Sequence, residues 1–235
     1  MHDQFVISLQ RFVGISSGGL GRLGRRSGLE LVMLCLVCAP ATATPLISEL
    51  FYDAVGSDNG QSFVEIYGQP GSDLTGLTLE GVNGSNGAVG PVIELAGTIP
   101  ADGIFVVADM DGDGLSLVAE ADQLANFDFQ NGPDSVVLYD GDAVLDAVGY
   151  GDFDPEEIFA GEGMPAPDPP AGSSLARVFA DVDSDDNSLD FEALDVPTPG
   201  SAELQSVPEP GSALLGSAGL LGLAFLGRRG RGRRG

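Results

Sequence analysis

The chain has 235 residues, with 35 acidic side chains against ten basic ones, a formal net charge of −25, one histidine, two cysteines and no tryptophan. All ten cations are arginine, and nine of them lie near the two ends, so the stretch from Thr44 to Ser206 holds 32 carboxylates and the single cation Arg177, a net charge of −31. That charge excludes nucleic acid and anionic lipid as partners of this stretch, and the confinement of His2, Cys35 and Cys38 to the residues before it excludes histidine and cysteine chemistry.

Arg11, Arg22, Arg25 and Arg26 precede an apolar run, Leu29 to Val37, broken only by Glu30 and followed by Ala39, Ala41 and Ala43. Basic, apolar and small residues in that order are the pattern of a secretory signal peptide. Ala41-Thr42-Ala43 fits the small-x-small rule and predicts cleavage between Ala43 and Thr44, with Ala39-Pro40-Ala41 as the alternative. The long region before the apolar run leaves the true start codon open. Both cysteines leave with residues 1–43, so the exported part uses no disulfide and relies on its core. At about 160 residues it is long enough to bury roughly 70% of its surface.

From Thr44 the chain reads as short strands separated by Gly, Asn, Asp and Ser. PLISELFYDA, QSFVEIYG and DLTGLTLEGV come first. Strict alternation places Leu46, Ser48, Leu50 and Tyr52 on one face of the first run and Ile47, Glu49 and Phe51 on the other. In the second, Val64 and Ile66 oppose Phe63, Glu65 and Tyr67. Asn59-Gly60, Asn83-Gly84 and Asn86-Gly87 mark turns. Pro91 to Leu95 and GIFVVAD continue the β pattern around Asp102-Gly103, and Ser135 to Tyr139 with Ala143 to Val148 form a hairpin about Asp140-Gly141. Gly114 to Asn126 has the spacing of a short helix, through Leu115, Val118, Ala119 and Leu124. Pro165, Pro167, Pro169 and Pro170 make GEGMPAPDPPAG a surface loop, after which Ser174 to Phe179 is a last strand. DVDSDDNSLDFEALDVPTPG closes the domain, and residues 201–206 read as linker. Seven or eight such strands with no long helix predict an all-β fold, a β-sandwich of immunoglobulin-like type.

In order along residues 44–200 stand Ile47-Ser48-Glu49, Phe63-Val64-Glu65, Asp73-Leu74-Thr75-Gly76, Asp134-Ser135-Val136-Val137-Leu138, Ala147-Val148-Gly149-Tyr150, Ser174-Leu175-Ala176-Arg177, Asp183 to Phe191 and Pro197-Thr198-Pro199-Gly200. In this the domain resembles the bacterial lamin-tail domain. It departs from that pattern at Tyr67-Gly68, where the family often has asparagine, and at Leu77, where it often has tryptophan. The resemblance implies an immunoglobulin-like sandwich serving as a surface or interaction module, and names no ligand.

Residues 207–235 begin with Val207-Pro208-Glu209-Pro210, continue as an uncharged Gly/Ala/Leu run from Gly211 to Gly227, and end in Arg228, Arg229, Arg231, Arg233 and Arg234. The run would span roughly 25 Å as a helix, close to the hydrocarbon thickness of a thin bilayer. Arginine beside a membrane segment stays cytoplasmic, which puts everything before Val207 outside the cytoplasm. The stretch resembles the PEP-CTERM sorting signal of Gram-negative bacteria. That resemblance implies recognition by an exosortase in the inner membrane, removal of the tail and release to the cell surface or matrix. A simple C-terminal anchor gives the same topology, but glycine, about 1 kcal/mol worse than alanine in a helix, suits a permanent span poorly.

Two acidic stretches are candidate calcium loops. Asp109-Met110-Asp111-Gly112-Asp113-Gly114 with Glu120 fits D-x-D-x-D-G-x5-E, in which alternate oxygens and a distal carboxylate close around the ion. Its flank is strand rather than helix, and the competing reading is an acidic connection between strands. Asp181, Asp183, Asp185, Asp186, Asn187 and Asp190 crowd carboxylates more densely but lack the turn glycine. There the competing reading is Asp and Asn side chains capping backbone amides before Phe191 turns inward. Arg177, on an apolar strand, requires a carboxylate partner, and Glu49 and Glu65 are the predicted ones, in a structural role. The same two glutamates as a glycosidase pair would need a sugar cleft, and no tryptophan marks one. With neither histidine nor lysine to activate a nucleophile, catalysis is not expected. The expectation is an exported, non-enzymatic surface or matrix module, met in processing by signal peptidase and an exosortase, touching membrane only through its ends, with matrix polysaccharide or a surface protein as partner. The alternative is a calcium-dependent carbohydrate- or protein-binding module, and behind it a metal-dependent hydrolase.

Overall fold

The computed structural model describes residues 44–205. The leader with Ala43, and the sorting stretch Val207-Pro208-Glu209-Pro210 with all that follows it, lie outside the described residues. Among those described, no helix is long and apolar enough to cross a membrane.

Two sheets account for nearly all regular structure, as the alternating apolar runs require. The strands are β1 (Leu46–Phe51), β2 (Phe63–Tyr67), β3 (Leu77–Asn83), β4 (Val89–Glu94), β5 (Ile104–Asp109), β6 (Gln123–Ala125), β7 (Asp134–Asp140), β8 (Ala143–Tyr150), β9 (Ser174–Arg177) and β10 (Phe191–Leu194). One short helix, α1 (Asn187–Asp190), precedes β10. The six-stranded sheet has the order β10-β9-β1-β2-β5-β6 and the four-stranded sheet the order β4-β3-β7-β8. The main core includes Ile47, Leu50, Val64, Ile66, Phe105, Val107 and Leu175 from the first sheet and Leu79, Ile93, Val136, Leu138, Val148 and Tyr150 from the second, all buried. The described residues therefore form an all-β, two-sheet sandwich.

Three expectations change. The alternation in β1 is broken by a register shift between Ile47 and Glu49, so Ile47, Leu50 and Tyr52 share the core while Glu49 and Phe51 lie on the outer side. A bulge inserts one residue and moves the following side chains to the other face, which strict period-two reading misses. The helix expected over Gly114 to Asn126 does not form; Gln123–Ala125 instead adds as a parallel strand beside β5. The last expected strand stops at Arg177, and a tenth strand, Phe191–Leu194, pairs with it.

A second apolar cluster, Phe63, Ile104, Val106 and Ala108, lies on the outer face of the six-stranded sheet and packs against Val118, Ala121 and Ala202. What covers that face is partly the C-terminal run from Val196 to Gln205, here termed the strap. Ala180 donates to the Glu203 carbonyl at 2.8 Å and Gln205 donates to Asp181 at 2.7 Å. Residues 201–205, expected as linker, are thus docked on the domain.

Candidate functional site

Arg177 lies on β9 with its side chain wholly buried. Leu175, two residues earlier on the same face, is in the core, so the guanidinium enters the space between the sheets. There it meets Asp146 of β8 at 2.9 Å, Asp190 at 3.1 Å and Asp183 at 3.4 Å. Its Nε donates to the Ile47 carbonyl at 3.0 Å, and the guanidinium carbon stands 4.5 Å from the centroid of Phe191. Five donors in a fixed plane suit such a crowded polar pocket.

The expected partners, Glu49 and Glu65, are not those of Arg177. Glu49 pairs in register with Ala176, whose neighbour Arg177 projects from the opposite side of the sheet. The sheet itself separates that guanidinium from both glutamates. Asp146 was missed, although a signal existed: it shares the inward parity of Val148 and Tyr150, and a carboxylate facing a core needs the one cation available.

Neither candidate calcium stretch brings three of its own carboxylates together among the described residues. Asp109 is buried and accepts from the Gly60 and Phe127 amides at 2.7 and 3.0 Å, tying two loops to the end of β5. Asp111 accepts from the Asp113 and Leu115 amides at 2.9 Å each, while Asp113 and Glu120 are exposed. In the other stretch, Asp181 holds Gln205, Asp183 and Asp190 hold Arg177, and Asp185 sits at a left-handed φ of 55°. Asp186 caps α1 through Ser188, which with neighbouring amides keeps its carboxyl below the usual range. Asn187 is buried and accepts from Gly149 and Glu162 while donating to Ala147, sealing the edge of β8. Asp181, Asp186 and Asn187 thus accept from backbone amides, the role in the competing reading, whereas Asp183 and Asp190 also serve the guanidinium, which that reading did not include.

A different trio comes together. Oxygen atoms of Asp146, Glu162 and Asp183 lie within 4.8 Å of one another, the one such group of three or more among the described residues. Glu162 Oε2 is buried without a hydrogen-bond partner. Burial first, then Asp146, Asp183 and Asp185, pushes the Glu162 carboxyl up to about 7.

On the outer face the glutamates form a second system. Glu49 and Glu65 are direct register partners across β1 and β2, and both are buried. Glu49 accepts from the Ser174 hydroxyl at 2.5 Å, the Thr198 amide at 2.9 Å and the Thr198 hydroxyl at 2.8 Å. Glu65 accepts from the Ser48 hydroxyl at 2.7 Å and the Gly200 amide at 2.8 Å. Burial, outweighing these hydrogen bonds, raises the Glu65 carboxyl to about 7. Every carboxylate oxygen of the pair thus accepts from at least one protein donor.

Comparison with family models, with curated proteins and with solved structures returns no match for this chain.

Proposed function

We propose that the chain is an exported, non-enzymatic β-sandwich module of lamin-tail-like, immunoglobulin-like type, delivered to the cell surface or extracellular matrix of a Gram-negative bacterium for a structural or adhesive role. The observation that carries this reading is the order Pro-Glu-Pro, apolar run and arginine cluster directly after a domain whose last described residue, Gln205, is docked on it. The buried acids support it, because Glu49, Asp109 and Asp146 all hold backbone or side-chain donors of the framework. In this reading the chain's processing partners are signal peptidase and an exosortase, and its ligand is matrix polysaccharide or a surface protein. Cell fractionation with mass spectrometry of the mature C-terminus tests it: the tail is expected to be absent from the surface or secreted form. An intact arginine tail in the inner membrane would replace the reading with that of an anchored periplasmic domain.

A calcium-dependent binding module is the second reading, favoured by the Asp146, Glu162 and Asp183 trio and its unpartnered oxygen. Calcium then raises the melting temperature of the wild type and not of Glu162→Gln, with Asp111→Asn retaining the rise. No rise in the wild type at millimolar calcium removes this reading.

A further inference from the structure

The strap lies across a row of side chains that runs over the outer face of the six-stranded sheet. The register sets Glu192 beside Ala176, Ala176 beside Glu49, Glu49 beside Glu65, and Glu65 beside Val106. Two carboxylates directly opposite on neighbouring antiparallel strands have their Cβ atoms about 5 Å apart, and like charges so placed repel. Here they are also removed from water, which strengthens the repulsion. The strap covers them: Thr198 binds Glu49 through both its amide and its hydroxyl, and the Gly200 amide binds Glu65.

We propose that the Glu49 and Glu65 pair is a proton-operated latch on the strap, closed when the pair holds one proton and loosened when both carboxylates are charged.

The surroundings reinforce the sign. A cavity of about 250 Å³ beside the pair is lined by Glu192 of β10 and Glu203 of the strap as well as by the two glutamates. Glu120 lies against Gly200, and Asp122 accepts from the Val106 amide on the β5 side. Arg177 borders the same cavity, but its guanidinium is held on the other side of the sheet by Asp146 and Asp190. No cation among the described residues therefore faces the pair.

With the strap seated, Glu65 titrates near 7, against an ordinary value of 4.5. With the strap lifted, water reaches the carboxyl and its affinity for the proton returns toward the ordinary value. Closure then takes up a proton between these limits. It is strongest below about pH 4.5, weakens as pH rises toward 7 and stays weak above. Neutral Glu65 still serves its partners: one oxygen accepts from Gly200 while the protonated one donates to Ser48, whose hydroxyl can accept as well as donate.

Hydrogen exchange read by mass spectrometry on the full chain in non-ionic detergent tests the latch. Protection of residues 196–205, corrected for intrinsic exchange, is compared at pH 5 and pH 8, with β2 and β5 as internal references. Strap protection is expected to fall about tenfold or more across this interval, beyond any fall in the references. Glu65→Gln keeps an acceptor for Gly200 and a donor for Ser48 with no titration, so it flattens the pH ratio. Thr198→Val lowers protection at both pH values and preserves the ratio. Should Glu65→Gln not fold, Glu49→Gln, which removes the opposing charge but leaves Glu65 buried, must lower the ratio without abolishing it. A strap ratio no larger than that of β2 and β5, or one unchanged in the glutamine variant, overturns the proposal.

Discussion

Arg177 on β9 and Asp146 on β8 meet at 2.9 Å in the interior, and their contact joins the six-stranded sheet to the four-stranded one. Both side chains are wholly buried, and Asp146 also accepts from the Ile47 amide, so the pair ties three strands together. An ion pair of this kind contributes little over an apolar pair of similar size, but losing one member strands the other.

Arg177→Met is therefore expected to cost about 3–5 kcal/mol, read from urea unfolding. Adding Asp146→Leu should recover part of that loss, since it removes the uncompensated carboxylate. A double variant as unstable as the sum of the single ones would show that the two residues act independently.

Removing an acceptor that serves three donors should weaken the C-terminal closure. Glu49→Ala leaves the Ser174 hydroxyl and both Thr198 donors without their partner. A loss of about 2–3 kcal/mol is expected, together with faster proteolysis after residue 196 than elsewhere in the domain. Cleavage spread evenly over the chain would mean that the glutamate supports the fold without holding the strap.

The acid pair also governs how stability responds to pH. Because the folded Glu65 carboxyl titrates near 7 rather than 4.5, its contribution is present below pH 4.5 and is lost as pH rises through 7. Glu65→Gln should thus match or exceed the wild type in urea midpoint at pH 8, and its advantage should shrink or reverse at pH 5. A variant markedly weaker than wild type at pH 8 would contradict this.

Asp109→Ala tests whether the D-x-D-x-D stretch is built around an ion or around amides. Loss of the acceptor for Gly60 and Phe127 should cost about 1–3 kcal/mol whether or not a chelator is present. A loss that appears only with calcium present would return the loop to ion binding.

The strands were legible because apolar alternation and Asn-Gly or Asp-Gly turns are local signals; the β7 and β8 hairpin about Gly141 lies where they place it. In the turn between β3 and β4 the reason is different. Gly84 was read as a turn glycine, yet it is not among the positive-φ glycines; a Cβ there would stand 2.1 Å from the Pro133 carbonyl oxygen. The β1 bulge, the parallel strand β6 and the choice of Asp146 as the partner of Arg177 all depend on contacts between residues far apart in the chain. No local pattern encodes the bulge or the parallel pairing, and for Asp146 strand parity gives only the inward side, not the partner. The D-x-D-x-D spacing matched a motif, but spacing alone does not say whether a carboxylate turns toward a loop centre or toward a neighbouring amide. Asp109 does the latter because it ends a buried strand whose adjoining loops have unpaired donors.

β1 is the first strand of the domain, yet it lies inside its sheet, flanked by β2 and by β9. Glu49 and its partner Ser174 are 125 positions apart. A chain emerging from its N-terminus can form the β1 and β2 ladder early, but the other edge of β1 stays open until almost the whole domain has been made. Folding so dominated by distant pairings is slow. The strand order therefore leaves β1 paired on one edge alone until its C-terminal partner strand has been made.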